Sequence, residues 1–149
     1  MYSTCRAVRI ASNSTVTGQQ VHLETGAEFR DRAAADIWIK GGNVRGQTQT
    51  TALATGDIRV SSPGSTAVSS GGNMHIQAAR AVDIAAASTI TAGQHMSVMA
   101  GTALTLRANS GRTATNGEKV RLSAGGNMLV SGGSVMATGS NLSAGKNLT

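Results

Sequence analysis

Residues 72–76, Gly-Asn-Met-His-Ile, contain the pattern that decides the fold: a glycine followed by two apolar residues that flank one polar residue. Related patterns occur in residues 56–60, 101–106, 117–122 and 125–130. Glycine favours a turn, and residues two apart in an extended chain point to the same side. Each copy therefore predicts a turn followed by a short β-strand with one apolar face.

The spacing of the apolar residues predicts how these strands are arranged. Positions expected to face inward follow one another at steps of eight, namely Ile58, Thr66, Met74, Val82, Ile90, Val98 and Leu106, with Leu122 and Val130 as a further pair. Three such modules make a triangular turn of about 24 residues, and Met74, Met96, Val120 and Leu142 recur at about that distance. The sequence therefore predicts an all-β solenoid, a parallel β-helix with short repeated strands. Its outward residues are Arg59, His75, Asp83, Ser97, Thr105 and Arg121.

Glycine and asparagine mark the predicted corners between strands. Corner glycines permit the positive backbone dihedral angles that sharp turns need, and asparagine tolerates the same region. Four asparagines sit in or just after such corners, namely Asn43, Asn73, Asn127 and Asn147. They fit ordinary turn residues and equally a stacked ladder of hydrogen-bonded side chains, and the sequence leaves both interpretations open.

Composition excludes several classes of protein. The aromatic residues are only Tyr2, Phe29 and Trp38, so small side chains in stacked layers must supply the core. The net charge of +6 comes from scattered residues, which does not indicate specific nucleic-acid binding. No apolar run reaches the length of a membrane span, and no signal peptide is present in this chain. Cys5 is the only cysteine, so no internal disulfide is expected.

Two parts of the chain are predicted to differ. Residues 1–40 form an N-terminal segment, either a cap or irregular rungs, and residues 41–149 form the β-helix repeats. Only residues 27–36 favour a helix by composition, and such a helix would cover an end or flank of the solenoid. In the alternative, these residues form a loop between rungs. The strands of those rungs would contain Val21, Leu23, Ile37 and Ile39.

A search for catalytic, cofactor and metal sites yields none, so the chain is predicted not to be an enzyme. His22, His75 and His95 lack the spacing of metal ligands. The seven acidic residues are dispersed, and only stacking of successive turns could bring Asp57 and Asp83 together for acid–base chemistry. Residues 139–146 approach a phosphate-binding loop but have one residue too many between the glycines and lack the following Ser or Thr.

Residues 117–149 carry a family resemblance. The motifs Ser-Ala-Gly-Gly-Asn-Met, Gly-Ser-Val and Ser-Ala-Gly-Lys-Asn-Leu resemble the haemagglutinin repeats of filamentous haemagglutinins, the exoproteins of two-partner secretion that include contact-dependent inhibition proteins. Residues 71–106 match more loosely, so residues 71–149 carry the best resemblance. It implies a right-handed parallel β-helix shaft on a secreted or surface-exposed bacterial protein. Such a shaft serves adhesion to a host or neighbouring cell, through protein or glycan, or presents a toxin.

Two alternatives stay open. Octads with glycine are also similar to the needle-like β-helices of phage tail spikes and type VI secretion tips, in which three chains wind together. A glycan-active β-helix enzyme is the third hypothesis. For the single-chain helix we expect end-to-end self-association, because Leu142 and Leu148 would lie at an open end. The mass in solution separates this case from a permanent trimer.

Overall fold

The computed structural model describes residues 7–26, 35–61, 66–85, 87–108 and 119–149. Within these ranges the chain forms fifteen β-strands and no helix. Every described strand pairing is parallel. Successive strands pair with the strands one turn earlier and one turn later, so the chain winds as a solenoid.

The strands form six coils, each of which passes once around the axis. Coil 1 consists of β1 (Ala7–Ile10) and β2 (Thr15–Thr25), and coil 2 of β3 (Asp36–Lys40) and β4 (Asn43–Ala54). Coil 3 consists of β5 (Ile58–Ser61), β6 (Thr66–Ser70) and β7 (Asn73–Ala78), and coil 4 of β8 (Val82–Ala85), β9 (Ser88–Ala92) and β10 (Met96–Ala100). Coil 5 consists of β11 (Ala103–Arg107), β12 (Val120–Ala124) and β13 (Met128–Ser131). Coil 6 consists of β14 (Ser134–Thr138), β15 (Ser140–Ala144) and Leu148, which bridges to Met128.

The coil has three faces. Face A is a six-stranded sheet in the order β1, β3, β5, β8, β11, β14. A nine-stranded sheet supplies the other two faces, because the long strands β2 and β4 run along both. Face B contains the first halves of β2 and β4 with β6, β9, β12 and β15, and face C contains their second halves with β7, β10 and β13. The prediction of a parallel β-helix is confirmed.

Inward side chains stack in columns that run from coil 1 to coil 6. On face A the column is Val8, Ile37, Ile58, Val82, Leu104 and Val135. On face B it is Val16, Val44, Val68, Ile90, Leu122 and Leu142. On face C it is Val21, Thr50, Met74, Met96, Met128 and Leu148. Branched aliphatic side chains therefore stack on one another on faces A and B, while face C stacks three methionines and includes the polar Thr50.

The eight-residue period is confirmed as an inward pattern. All seven positions from Ile58 to Leu106 in that series are buried. The longer series is only partly right: Met74 stacks on Met96, but Val120 lies on face B, where Leu142 pairs with Leu122. The coils differ in length, because the residue numbers of face A partners differ by 24 between Ile58 and Val82 but by 31 between Leu104 and Val135. From coil 1 to coil 6 the steps along face A are 29, 21, 24, 22 and 31 residues, so a fixed period of 24 holds only between coils 3 and 4.

Some of the corner glycines serve the expected purpose, and others serve a different one. Among the described glycines only three have a positive φ angle, namely Gly26, Gly41 and Gly139. Gly71, Gly93, Gly125 and Gly145 instead stack at the corner between faces B and C. A Cβ atom on Gly93 would lie 2.1 Å from the carbonyl oxygen of Gly71, and one on Gly125 would lie 2.3 Å from that of Gly93. These positions need glycine because the backbones of successive coils approach closely there.

Residues 7–26 and 35–40 take the same three faces as the later coils. Val21, Leu23, Ile37 and Ile39 are buried in strands, as the alternative without a capping helix expected. Residues 27–34, which hold most of the predicted helix, lie outside the described residues, and β3 has already begun at residue 36. All three faces of each coil come from one chain, so the core does not require strands from two further chains.

Candidate functional site

The outer surface of this fold consists of the outward side chains, which also form columns. Six of them begin the face C segment of each coil, and we call this set the corner ladder: Gln20, Gln49, Asn73, His95, Asn127 and Asn147. The His95 backbone N–H donates to Asn73 Oδ1 at 3.2 Å, and the Asn127 N–H donates to His95 Nδ1 at 3.1 Å. Asn147 Nδ2 then donates to Asn127 Oδ1 at 3.4 Å.

The corner ladder resolves the two interpretations of the asparagines. Asn73, Asn127 and Asn147 form stacked hydrogen bonds, and none of them has a positive φ angle. Asn43 lies on face B opposite Thr15 and Ala67 and does not belong to the ladder. The sequence did not indicate His95 as a member. The feature that could have identified His95 is its position directly before Met96, because Asn73 occupies the same position before Met74.

Face A carries a cation–π stack on its outer side. The register places Trp38 between Arg9 and Arg59 on the neighbouring strands. The guanidinium carbon of Arg9 lies 4.5 Å from the centre of the Trp38 ring, and that of Arg59 lies 5.6 Å from it. Trp38 Nε1 is buried and has no hydrogen-bond partner among the described residues. The ring faces are covered by arginine, so Trp38 joins three coils rather than offering a free aromatic platform.

Asp57 stabilises the corner between faces C and A. Its Oδ1 accepts a hydrogen bond from the Ala81 N–H at 3.1 Å, while Asp36 Oδ1 accepts one from the Asp57 N–H at 2.8 Å. Arg59 Nη2 lies 3.0 Å from Asp57 Oδ2, and Arg80 Nε lies 3.9 Å from Oδ1. Burial acts to raise the pKa of Asp57, but the Ala81 and Arg59 hydrogen bonds and the two arginine charges outweigh it and lower that pKa.

Asp57 and Asp83 do not form a pair of carboxylates. Asp83 lies on the adjacent strand opposite Arg59, two residues beyond Asp57 in the chain of coil 3. Asp83 Oδ1 accepts a hydrogen bond from Arg107 Nε at 3.2 Å. Hydrogen bonding to Asp83, followed by its charge, raises the pKa of Arg107. Each carboxylate is therefore engaged by an arginine, and the two do not face each other as a pair.

The three histidines lie on or beside face C in different settings. His22 Nε2 contacts Glu24 Oε2 at 2.9 Å, and His75 Nε2 contacts Gln77 Oε1 at 3.0 Å. His95 belongs to the corner ladder. In the part of the chain that the structure describes, no group of three or more His, Cys, Asp or Glu residues could hold a metal ion. The loop-like residues 139–146 form β15, flanked by Gly139 and the corner at Gly145 and Lys146.

Face B presents small polar side chains. Its outward residues are Thr15, Thr17, Asn43, Arg45, Ala67, Ser69, Thr89, Thr91, Arg121, Ser123, Asn141 and Ser143. No acidic residue occurs in the described strand segments of this face, whereas face A carries Asp36 and Asp83 and face C carries Glu24. Face B is thus an array of hydroxyl and amide groups with two arginines.

The fold and its columns define a class of protein: a parallel β-solenoid built from a short repeat. The hemagglutinin repeat family model matches residues 8–149, and the chain belongs to that family. The match includes the N-terminal coils, which precede residues 71–149, where the motifs showed the best resemblance. Neither curated proteins nor solved structures gave a significant match. Among the described residues, no helix is long and apolar enough to cross a membrane.

Proposed function

We propose that this chain is a structural segment of a bacterial exoprotein, secreted or held at the cell surface, in which it serves as a rigid shaft for adhesion or toxin presentation. The observation that carries the proposal is the continuity of the inward columns through all six coils. A repeat in which each coil packs only on its neighbours extends by adding coils, without a new kind of core. A shaft needs length, and the addition of coils supplies it.

Rigidity supports the same proposal. The faces are parallel sheets in which backbone hydrogen bonds join every coil to the next, with a spacing of about 4.8 Å along the axis. Bending the rod would break these bonds on one side. The glycine column at residues 71, 93, 125 and 145 brings backbones into contact at one corner and leaves little freedom there. A rigid rod of this kind holds whatever lies at its tip at a fixed distance from the cell, as adhesion or toxin presentation requires.

We propose further that the chain is not an enzyme. Arginine engages Asp57 and Asp83, and Trp38 is covered by arginine on both sides. Catalysis needs groups that meet in a concave pocket with a free acid, base or nucleophile. The outward groups described above are used instead to join one coil to the next.

Face B supports the adhesive role. Rows of exposed hydroxyl and amide groups present many weak donors and acceptors, which suits a hydroxylated polymer such as a cell-surface glycan. Repetition along the coil allows many such contacts to act together. The absence of acidic residues from the described part of this face avoids repulsion of anionic cell surfaces.

Surface labelling tests the shaft proposal. Antibodies raised against this chain should label intact cells of the source organism, and external protease should remove the signal. Labelling that appears only after the cells are made permeable would contradict the proposal. A cytosolic protein of the same cells serves as the control for intactness.

A matched pair of variants tests the adhesive face. Thr91→Asp places an acid on face B, and Ser97→Asp places the same acid on face C. We expect Thr91→Asp to reduce binding of the labelled chain to cells severalfold and Ser97→Asp to leave it unchanged. Equal binding by both variants would remove face B from the proposal.

A further inference from the structure

A groove opens on the outer surface of coils 1 to 3, where face C approaches the corner with face A. Its volume is about 200 Å³, and seven residues line it, namely Glu24, Thr25, Leu53, Ala54, Thr55, Gln77 and Ala79. Glu24, Leu53 and Gln77 hold the same outward position on successive coils. Because a leucine side chain is shorter than those of glutamate and glutamine, Leu53 forms a floor between two walls.

The groove combines an apolar floor with one charged wall. Leucine and alanine side chains supply the apolar surface, and of the described residues that line the groove only Glu24 carries a charge. Arg80 directly follows Ala79, but Arg80 Nε lies 3.9 Å from Asp57 Oδ1, so this cation has its own partner. An apolar floor beside a carboxylate fits a ligand that has an alkyl stem and a cationic head.

The two threonine hydroxyl groups of the groove are engaged by the backbone of the chain itself. Thr25 Oγ1 donates a hydrogen bond to the Ala35 carbonyl oxygen at 2.8 Å, and Thr55 Oγ1 accepts one from the Ala35 N–H at 3.2 Å. A sugar ring needs several donors and acceptors around it, and these hydroxyl groups are already used. The groove therefore suits an alkyl chain better than a hydroxylated ligand.

The contacts of the Glu24 carboxylate distinguish between the two kinds of cationic side chain. Among the described residues only His22 contacts this carboxylate, with Nε2 lying 2.9 Å from Oε2, so Oε1 is left for a ligand. The guanidinium group of arginine binds best when it donates to both oxygens of a carboxylate. An ammonium group is a compact charge that needs one acceptor, so the geometry favours lysine over arginine.

We infer that this groove binds a lysine side chain of a partner protein. The ammonium group donates to Glu24 Oε1, and the four-carbon stem lies along Leu53 and Ala54. Glu24 and Gln77 lie two strands apart, roughly 10 Å, which leaves the width of one alkyl chain between their side chains. The inference goes beyond the shaft role and does not depend on adhesion through face B, because the groove lies on another face.

Titration with n-butylammonium, which has the same chain as a lysine side chain, tests the groove by nuclear magnetic resonance of the ¹⁵N-labelled protein. The backbone amide signals of Leu53, Ala54 and Gln77 should shift and saturate. Ethylammonium should bind more weakly, by up to about fourfold for each buried methylene removed, and uncharged N-butylacetamide should not bind. The absence of saturable shifts, or equal binding of the two ammonium ions, would overturn the inference.

A matched pair of variants separates the groove from general attraction of cations to face C. Glu24→Gln keeps an acceptor for His22 but removes the charge, so it should weaken n-butylammonium binding at least about fivefold. The double variant Glu24→Gln with Ser97→Glu restores one acid to face C outside the groove, and its binding should stay weak. Unchanged amide signals in the other coils show that each variant is folded. Recovery of binding in the double variant would mean that only the charge of the face matters and would overturn the inference.

Amino-acid amides test the assignment to lysine as it occurs in a protein chain. Nα-acetyl-lysine methylamide should shift the same amide signals as n-butylammonium. It should bind at least about threefold more tightly than Nα-acetyl-arginine methylamide, because Glu24 offers the ligand one oxygen. Arginine binding that equals or exceeds lysine binding would overturn the assignment, and so would lysine-induced shifts that lie outside the groove.

Discussion

Coils 4 and 6 follow the same sequence pattern yet differ in how well they are buried. In coil 4, Val82, Ile90 and Val98 are fully buried, with coils 3 and 5 on either side. In coil 6, every residue of β14 is exposed. An alternating pattern therefore sets the direction in which a side chain points, but the neighbouring coil decides whether it is buried. Stability in such a repeat comes from the interfaces between coils.

The largest expected loss of folding stability comes from a charge placed in the core of coil 4, and it distinguishes coil 4 from coil 6 most clearly. Val98→Asp in coil 4 places an unpaired charge in a core one side chain wide, so it should destabilise the chain by at least about 3 kcal/mol. Its outward neighbour Ser97→Asp should change stability by less than about 0.5 kcal/mol. Val135→Asp in coil 6 should lie near the smaller value. Urea unfolding of the three variants checks this, and similar losses for Val98 and Ser97 would contradict the assignment of inward and outward positions.

Substitutions of the stacked corner glycines compare coil 4 with coil 6 through a smaller expected effect. A Cβ on Gly93 would lie 2.1 Å from the Gly71 oxygen, and one on Gly145 would lie 2.2 Å from the Gly125 oxygen. The two clashes are equivalent, but coil 6 can move away from coil 5 whereas coil 4 is held on both sides. We expect Gly93→Ala to cost about 2–3 kcal/mol and Gly145→Ala less than about 1 kcal/mol. Equal costs would show that the end coil is as constrained as the middle.

His95 allows a finer test within coil 4. His95→Ala removes the acceptor for the Asn127 N–H and should cost about 1 kcal/mol. His95→Asn restores a side chain of the kind that occupies the ladder at Asn73 and Asn127, so it should recover most of that loss. The melting temperatures of both variants and of the parent chain measure this difference. An asparagine that performs no better than alanine would mean that the ladder does not contribute to stability.

The smallest expected effect is a loss of folding stability at acidic pH. The pKa of Asp57 is lowered in the folded chain, so its ionised form contributes stability above the unfolded value of 3.8, and that contribution is lost as the pH falls through the folded pKa. Stability should therefore decrease below about pH 4, and Asp57→Asn should make that decrease shallower. Urea midpoints between pH 2 and 6 measure it. An unchanged slope in the variant would remove Asp57 as a cause.

Local features of the sequence were sufficient for the directions of the side chains. Alternation over five residues identifies Ile58 and Val60 as inward and Arg59 as outward, because it depends only on the geometry of one strand. The stacking of distant residues was harder to predict. The pairing of Leu104 with Val135 depends on the length of the corner between β11 and β12, which no local pattern indicates.

The outward contacts were predicted least well. For the asparagines a ladder was one of two open interpretations, and His95 was not included in it. The His95 backbone N–H bonds to Asn73 across 22 residues of sequence, and its ring accepts a bond from Asn127 across 32. The Arg9, Trp38 and Arg59 stack joins three coils whose spacing is unequal, so its register could not be predicted before the strand pairing was known. The need for glycine at residue 93 likewise depends on which backbone lies beneath it.

The corner between faces A and B varies in length while the columns stay aligned. Two residues separate β8 from β9, four separate β5 from β6, and twelve separate β11 from β12. Strands β9 and β12 nevertheless pair in register, with Leu122 opposite Ile90. Lengthening a connection between strands carries only a small entropic penalty. Insertions and deletions can therefore accumulate between these strands during evolution without moving the inward columns out of register.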